Sequence, residues 1–196
     1  MGIDITVLVV DWTYLLQLAQ EDRLRALHAT AYSDSEAGWV WPSAPDRAWV
    51  GRYEFSDTLG SYKPHFRAAQ AWDDVRPSTE TALRSSLDEF LSGLIWTHPD
   101  AATDTGVEAG IFPPTAATWR AGPLVVCGPR TVARLNRSWQ KAVSALPRLR
   151  EPFGLYAASP GWWMPDLNMF MALLSGWADV VAEADRRRWG VVGLSS

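Results

Sequence analysis

The sequence predicts an α+β fold: a single domain over residues 1–196, with a mixed sheet of about five to six strands and about four to five helices packed on it. Most of residues 3–10 are β-branched and both faces of this segment are largely apolar, as in a strand that is covered on both sides. Residues 190–194 contain two valines and little polarity, which predicts a closing strand. Residues 78–96 and 165–188 carry apolar side chains at three- and four-residue steps, which predicts helices. Strand and helix segments in one chain favour helices packed on a sheet.

The first half of the chain opens with that strand and continues into a helix. Asp11 is a good N-cap for a helix over residues 12–32, which Glu21–Asp22 is expected to interrupt or bend. Residues 33–46 are rich in small, polar and breaker residues and predict a loop. A strand at 48–55 follows, with Trp49, Tyr53 and Phe55 expected on one side. A short helix is then expected at 65–75.

The second half is less regular before it closes on the long helix. Residues 97–118 predict a long loop with a brief strand at 107–112. A strand at 119–127 leads into a helix over 129–146, which Gly128 and Pro129 introduce, and a further strand is predicted at 153–158.

The closing helix ends in Arg186, Arg187 and Arg188, with Gly190 as its predicted stop. Cations at a helix C-terminus complement the helix dipole, so the triplet is expected to be structural. An anion-binding site is the alternative.

Charge and composition narrow the classes of partner. With a formal net charge of −4 and a pI near 5.3, the chain has no basic excess to neutralise phosphates, so no nucleic-acid partner is expected. No apolar run approaches the roughly 20 residues that span a bilayer, and no signal peptide is visible. We therefore expect a cytoplasmic protein with no membrane partner.

Motifs typical of cofactor and metal sites are missing from the sequence. The sequence has no glycine-rich phosphate loop of the dinucleotide or Walker type. Its three histidines, His28, His65 and His98, are widely spaced and lack the i, i+4 pairing of helical zinc ligands. The sequence therefore predicts no cofactor and no metal site.

Four residues are candidates for catalysis. Cys127 is the only cysteine; it ends a strand before a helix, where a thiolate could be stabilised, although lone cysteines usually behave as small buried hydrophobes. Glu54 and Asp57 lie near a strand end, and His65 follows the next turn. Such groups could act as acid and base in a pocket. An ordinary solvated turn is the competing interpretation.

Tryptophans in loops are the most unusual feature of this sequence, which has 12 tryptophans in all. Trp39, Trp41, Trp162 and Trp163 all lie between predicted elements, and the alternate spacing of the first two places both rings on one side of an extended segment. Large rings in loops either plug the end of a core or form a recognition surface. These four residues are our candidate binding residues.

Three segments resemble the YfbM-like family of small bacterial proteins: the opening MGI, the stretch LVVCGPRTVARLNRSW, and the end FMALLSGWADVVAEADRRRWGVVGLS. The resemblance implies an α+β fold and a bacterial cytosolic setting. The function of that family is uncharacterised, so the resemblance assigns no site residues.

Two functional hypotheses remain. The first is a soluble partner-binding protein, of immunity or regulatory type, that presents loop tryptophans on an acidic domain. The alternative is an enzyme or ligand-binding protein that holds a small molecule in an aromatic-lined pocket, with His65 and either Glu54 or Asp57 as acid and base.

Overall fold

The fold is described from a computed structural model, over residues 4–30, 37–44, 47–56, 58, 60–96, 110–113, 123–157, 164 and 167–195. The strands are β1 Ile5–Val10, β2 Gly38–Val40, β3 Val50–Glu54, β4 Pro123–Cys127 and β5 Gly190–Ser195. The α-helices are α1 Trp12–Gln17, α2 Gln20–Thr30, α3 Lys63–Val75, α4 Thr81–Ser92, α5 Pro129–Ala142, α6 Arg150–Ala157 and α7 Leu167–Arg187. Short 3₁₀ helices follow α3 at Arg76–Ser78 and α5 at Val143–Leu149.

The α+β class is confirmed, and the five strands form one sheet in the order β2-β3-β1-β5-β4. Every strand pairing among the described residues is antiparallel, so the predicted mixed sheet is wrong. Burial of β1 on both faces, which the sequence predicts, is most common in parallel sheets. Here the same burial arises because helices cover both faces of an antiparallel sheet.

The larger core lies on one face of the sheet, beneath α3 to α7. It joins Val7 and Val9 of β1 to fully buried side chains such as Trp72, Phe90 and Trp177 on the helices. The smaller core lies on the other face, where Leu8 and Val10 meet Leu15 of α1 and Leu27 of α2. The alternation of side chains along β1 therefore divides its residues between two cores.

The smaller core is also covered by residues 110–113. Ile111 and Phe112 are buried against it, and two side chains of α2 hold their backbone. Gln20 Nε2 donates to the carbonyls of Gly110 (2.7 Å) and Phe112 (3.2 Å), and Arg23 Nη1 donates to that of Ile111 (2.8 Å). These residues are turn and bend, so the strand predicted at 107–112 is absent from its described part.

Three other local predictions are corrected. Residues 153–158 were predicted as a strand, but 153–157 belong to α6; Phe153 and Tyr156 are buried at the helical i, i+3 spacing. The predicted loop at 33–46 contains β2. The first helix breaks at Leu18, whose backbone is extended, and not at Glu21–Asp22; both acidic residues instead lie in the first turn of α2, where they favour the helix dipole.

The strand β3 is shorter than the predicted 48–55, and this changes one side-chain direction. Tyr53 and Phe55 share one side of the strand as predicted, and they face the larger core; Trp49, predicted on the same side, packs in the smaller core. Trp49 precedes the first strand residue, Val50, so the alternation of the strand does not govern its side chain.

Candidate functional site

Trp39 and Trp41, two of the four predicted binding residues, lie on and just after the edge strand β2. Their rings stack with centroids 5.2 Å apart and an interplanar angle of 18°, so the expectation that they share one side is confirmed. Both are half-buried and pack against the edge of the larger core. They therefore combine a fixed position with an accessible surface.

Tyr53, Arg187 and Trp189 pack against these two tryptophans. We call the surface formed by all five residues the tryptophan corner. The ring of Tyr53 meets Trp39 edge-on at 5.0 Å, and Trp189 lies 6.3 Å from Trp41. The guanidinium carbon of Arg187 lies 3.9 Å from the ring centre of Trp41 and 5.0 Å from that of Trp189. Arg187 is thus a cation–π link between the end of α7 and the edge of the sheet.

Gly51 on β3 allows Trp41 to lie where it does. A Cβ atom at this position would lie 2.2 Å from Cζ3 of the Trp41 ring, so the ring occupies the space of a side chain. Gly51 therefore admits a tryptophan onto the face of the sheet.

Replacing Gly51 by alanine is expected to displace the Trp41 ring and to lower the free energy of unfolding by about 1–3 kcal/mol, because the new methyl group overlaps the ring. Denaturant unfolding measures the loss, and acrylamide quenching of tryptophan fluorescence measures the exposure of the ring. Gly154→Ala is the matched control: a Cβ there meets nothing within 4 Å, and α6 should gain rather than lose stability. Equal effects of the two substitutions would contradict this account of Gly51.

Glu183 fixes the cationic part of the corner. Its carboxylate accepts hydrogen bonds from Arg186 (2.7 and 2.8 Å) and from Arg187 (2.6 Å). Arg186 and then Arg187 lower the pKa of Glu183 to about 2, against the opposing effect of burial. One carboxylate therefore holds two guanidinium groups, and Arg187 stays in place over the tryptophan ring.

Tyr53 connects the corner to the outer side of α7. Its hydroxyl lies 3.4 Å from a carboxylate oxygen of Asp179, to which it donates. Burial, and to a lesser extent Asp179, raises the pKa of Tyr53. The phenol therefore stays protonated at neutral pH and acts as a hydrogen-bond donor.

His65, the predicted acid or base, lies on α3 and is fully buried among aromatic rings from other parts of the chain. Its Nδ1 accepts a hydrogen bond from Trp177 Nε1 at 3.1 Å, and the rings of Phe55 and Tyr62 lie 4.8 and 5.9 Å from its own. Its Nε2 has no hydrogen-bond partner among the described residues. Burial lowers the pKa of His65 to about 4, so the imidazole is neutral at pH 7.

The structure does not bring His65 and Glu54 together. Arg52 pairs with Leu8 in the strand register, which places Arg52 on the face of the smaller core. Glu54, two residues on, shares that face and forms an ion pair with Arg52, whereas His65 packs on the opposite face. Asp57, the other predicted carboxylate, lies outside the described residues.

The remaining candidates are Cys127, Trp162 and Trp163. Cys127 is buried at the end of β4, and its thiol donates to the carbonyl of Gly93 at 2.9 Å, as expected of a structural cysteine. Trp162 and Trp163 lie outside the described residues. The described residues contain no group of three or more potential metal ligands, and none of the described helices is long and apolar enough to cross a membrane.

One groove of about 660 Å³ lies between the start of α4 and the start of α6. Glu80 and Arg148 form an ion pair across it, and Arg150 and Glu151 also line it. Its charges balance, and no buried polar group of its lining is left without a partner. The groove therefore offers less specific chemistry than the tryptophan corner.

Sequence reasoning missed Tyr53, Arg187 and Trp189 as members of the site. The sequence had placed Tyr53 on one side of a strand, and it had placed Arg187 in the last turn of a helix, where the structure also places it. The signal that was available is a tryptophan directly after a helix-ending arginine run, RRRWG, since this position leaves the ring at the rim of the core.

Comparisons of the chain with protein-family models, with curated proteins and with solved structures find no match. The resemblance to the YfbM-like family therefore stays a prediction.

Proposed function

We propose that this chain binds a protein partner through the tryptophan corner, as an immunity-type or regulatory protein of the bacterial cytoplasm. The observation that carries the proposal is the packing of three half-exposed tryptophans, a tyrosine and an arginine on one another at a single edge of the sheet. Tryptophan, tyrosine and arginine are the residue types that dominate binding energy at protein interfaces.

Rigidity supports the proposal further. Each ring of the corner touches another ring or a guanidinium group within 3.9 to 6.3 Å, so little side-chain freedom remains to be lost when a partner binds. The rims stay accessible because the residues are half-buried. A pre-organised, partly apolar surface with a polar border is typical of interface centres.

No observation of comparable weight favours the small-molecule enzyme. Its proposed base is neutral and fully buried, and the described carboxylate that was to assist it lies on the other face of the sheet.

The proposal is tested by replacing Trp39 with alanine. Native mass spectrometry of the gently isolated protein first identifies the retained partner, and a dissociation constant is then measured with that purified partner. Trp39→Ala should raise the constant about tenfold or more, because hot-spot tryptophans contribute at least about 1–2 kcal/mol. Thermal unfolding should show that the variant remains folded.

Tyr14→Ala is the matched control. Tyr14 is an exposed aromatic residue that stacks on Trp49 at 4.7 Å, but it lies on α1, over the other face of the sheet. The control should bind the partner as the unaltered protein does. A retained small molecule in place of a polypeptide, or an unchanged constant in Trp39→Ala, would refute the proposed interface.

A further inference from the structure

Arg188 follows α7 in a backbone conformation that L-residues rarely adopt. Its φ is +60°, the only positive φ of a non-glycine residue in the described chain. Trp189 N–H donates to the Ala184 carbonyl (2.8 Å) and Arg188 N–H to that of Asp185 (2.9 Å), the two bonds of a Schellman cap. Glycine is the usual residue at this position because it lacks the Cβ that makes the left-handed conformation costly.

This cap corrects the prediction that Gly190 stops the helix. Gly190 instead begins β5, and a Cβ there would lie 2.2 Å from the Trp12 ring. The helix ends at Arg187, and the chain accepts an unfavourable residue at 188. Strained residues of this kind are concentrated at functional sites.

The helix dipole does not require the charge of Arg188. Arg186 and Arg187 already place two cations in the last turn, where Glu183 holds both. The exposed side chain of Arg188 makes no hydrogen bond or ion pair with the described residues. It lies in the chain between Arg187 and Trp189, two members of the tryptophan corner.

The charge balance of this turn differs from that of the whole protein. The three arginines meet two carboxylates, Glu183 and Asp185, and Asp185 also accepts a hydrogen bond from Asn136 at 2.7 Å. With Asp179, which accepts a hydrogen bond from Tyr53, the formal charges of the corner balance, in a chain whose formal net charge is −4. Arg188 is nevertheless the one cation of this turn that has no carboxylate partner among the described residues, so a carboxylate of a partner would be attracted to it.

We propose that Arg188 binds a carboxylate of an acidic protein segment that lies across the tryptophan corner. The inference rests on the proposed function and adds the chemistry of the partner to it. A guanidinium group matches a carboxylate with two parallel hydrogen bonds, and the adjacent rings accept the apolar side chains of the same segment. Nucleic acid is a poorer fit, since the protein as a whole is acidic.

The experiment uses the full chain and two synthetic peptides labelled with fluorescein. One peptide repeats glutamate, leucine and glycine, and its twin carries glutamine in place of each glutamate. Fluorescence anisotropy should show that the unaltered protein binds the acidic peptide about tenfold more tightly than its twin. Arg188→Gly should abolish this preference, and Arg188→Lys should keep only part of it, because the charge remains but the two parallel hydrogen bonds are lost.

Stability separates this role from a purely structural one. Arg188→Gly should raise Tm by about 2–4 °C, because glycine relieves the strain, while the preference for the acidic peptide is lost. Arg25→Ala removes the same charge from a distant, highly exposed side chain on α2 and should leave the preference unchanged. A structural role alone would raise Tm without affecting the peptides.

Three outcomes would overturn the inference: equal binding of the two peptides by the unaltered protein, a preference that survives in Arg188→Gly, or equally tight binding of a labelled DNA duplex. The proposed function fails separately, through an unchanged partner affinity in Trp39→Ala. If Trp39→Ala weakens the co-isolated complex but the peptides are not distinguished, the interface stands and its acidic partner does not.

Discussion

Replacing Trp177 by alanine is expected to lower the free energy of unfolding by about 3–5 kcal/mol, the usual cost of removing a large aromatic side chain from a core. Trp177 is fully buried on α7, and its ring packs 5.0 Å from Phe55. Its indole N–H also donates to His65. The substitution therefore leaves a cavity and, beside it, an imidazole without its hydrogen-bond donor.

Trp177→Phe separates these two effects. It keeps most of the ring volume but removes the donor, so we expect a smaller loss of about 1–3 kcal/mol, the cost of an unsatisfied buried polar atom. Urea unfolding followed by circular dichroism measures both variants. A loss in Trp177→Ala no larger than in Trp177→Phe would contradict the cavity as the main cause.

The tryptophan corner is continuous with this core. Trp39 contacts Tyr53, Tyr53 contacts Phe55, and Phe55 contacts Trp177, each at a centroid distance of 5.0 Å. Gly176 allows α7 to pack closely against the Phe55 ring, since a Cβ at this position would lie 2.8 Å from that ring. The candidate interface thus rests on buried rings, which explains how half-exposed tryptophans can keep one arrangement.

Periodicity was sufficient for much of the fold. The three- and four-residue spacing of apolar residues located α4, α5 and α7, and the β-branched run located β1, because burial of one face or of both leaves a direct imprint on composition. Strand direction leaves no such imprint. The predicted mixed sheet is therefore wrong, although the two-sided burial of β1 was predicted correctly.

Short elements were harder to predict for a related reason. The segment that forms α6 is only eight residues long and contains aromatic residues typical of strands, so its type depends on Phe153 and Tyr156 meeting the core. The sequence does not show where that core lies. Tertiary packing therefore determined that this segment is a helix and not a strand.

The sequence predicted some residues of the tryptophan corner and missed the others. Loop tryptophans pointed to Trp39 and Trp41, but Gly51 and Arg187 joined them through strand register and the end of a distant helix, which no local pattern encodes. His65 was singled out as a titratable group near a strand end. Its burial among aromatic rings, which keeps it neutral, depends in part on Trp177, which lies 112 positions further along the chain.

His65 is expected to make the protein less stable as the pH falls from about 6.5 to about 4. Burial lowers the pKa of the folded imidazole to about 4, and its ordinary value is 6.5. Protonation would also place a hydrogen on Nδ1, where Trp177 already donates one. Below pH 6.5 the unfolded chain therefore binds a proton that the folded protein does not, and stability declines until the folded imidazole also titrates.

The contribution of His65 is fully present above pH 6.5 and is lost by about pH 4, for a total of about 3 kcal/mol at 1.36 kcal/mol per pKa unit. Urea unfolding at a series of pH values measures it against His65→Phe, which should lack this part of the decline while keeping that due to other groups. His28→Gln, a histidine on α2 away from the aromatic cluster, is the control and should retain the full decline. Parallel profiles for the unaltered protein and His65→Phe would show that the buried imidazole does not set the acid sensitivity.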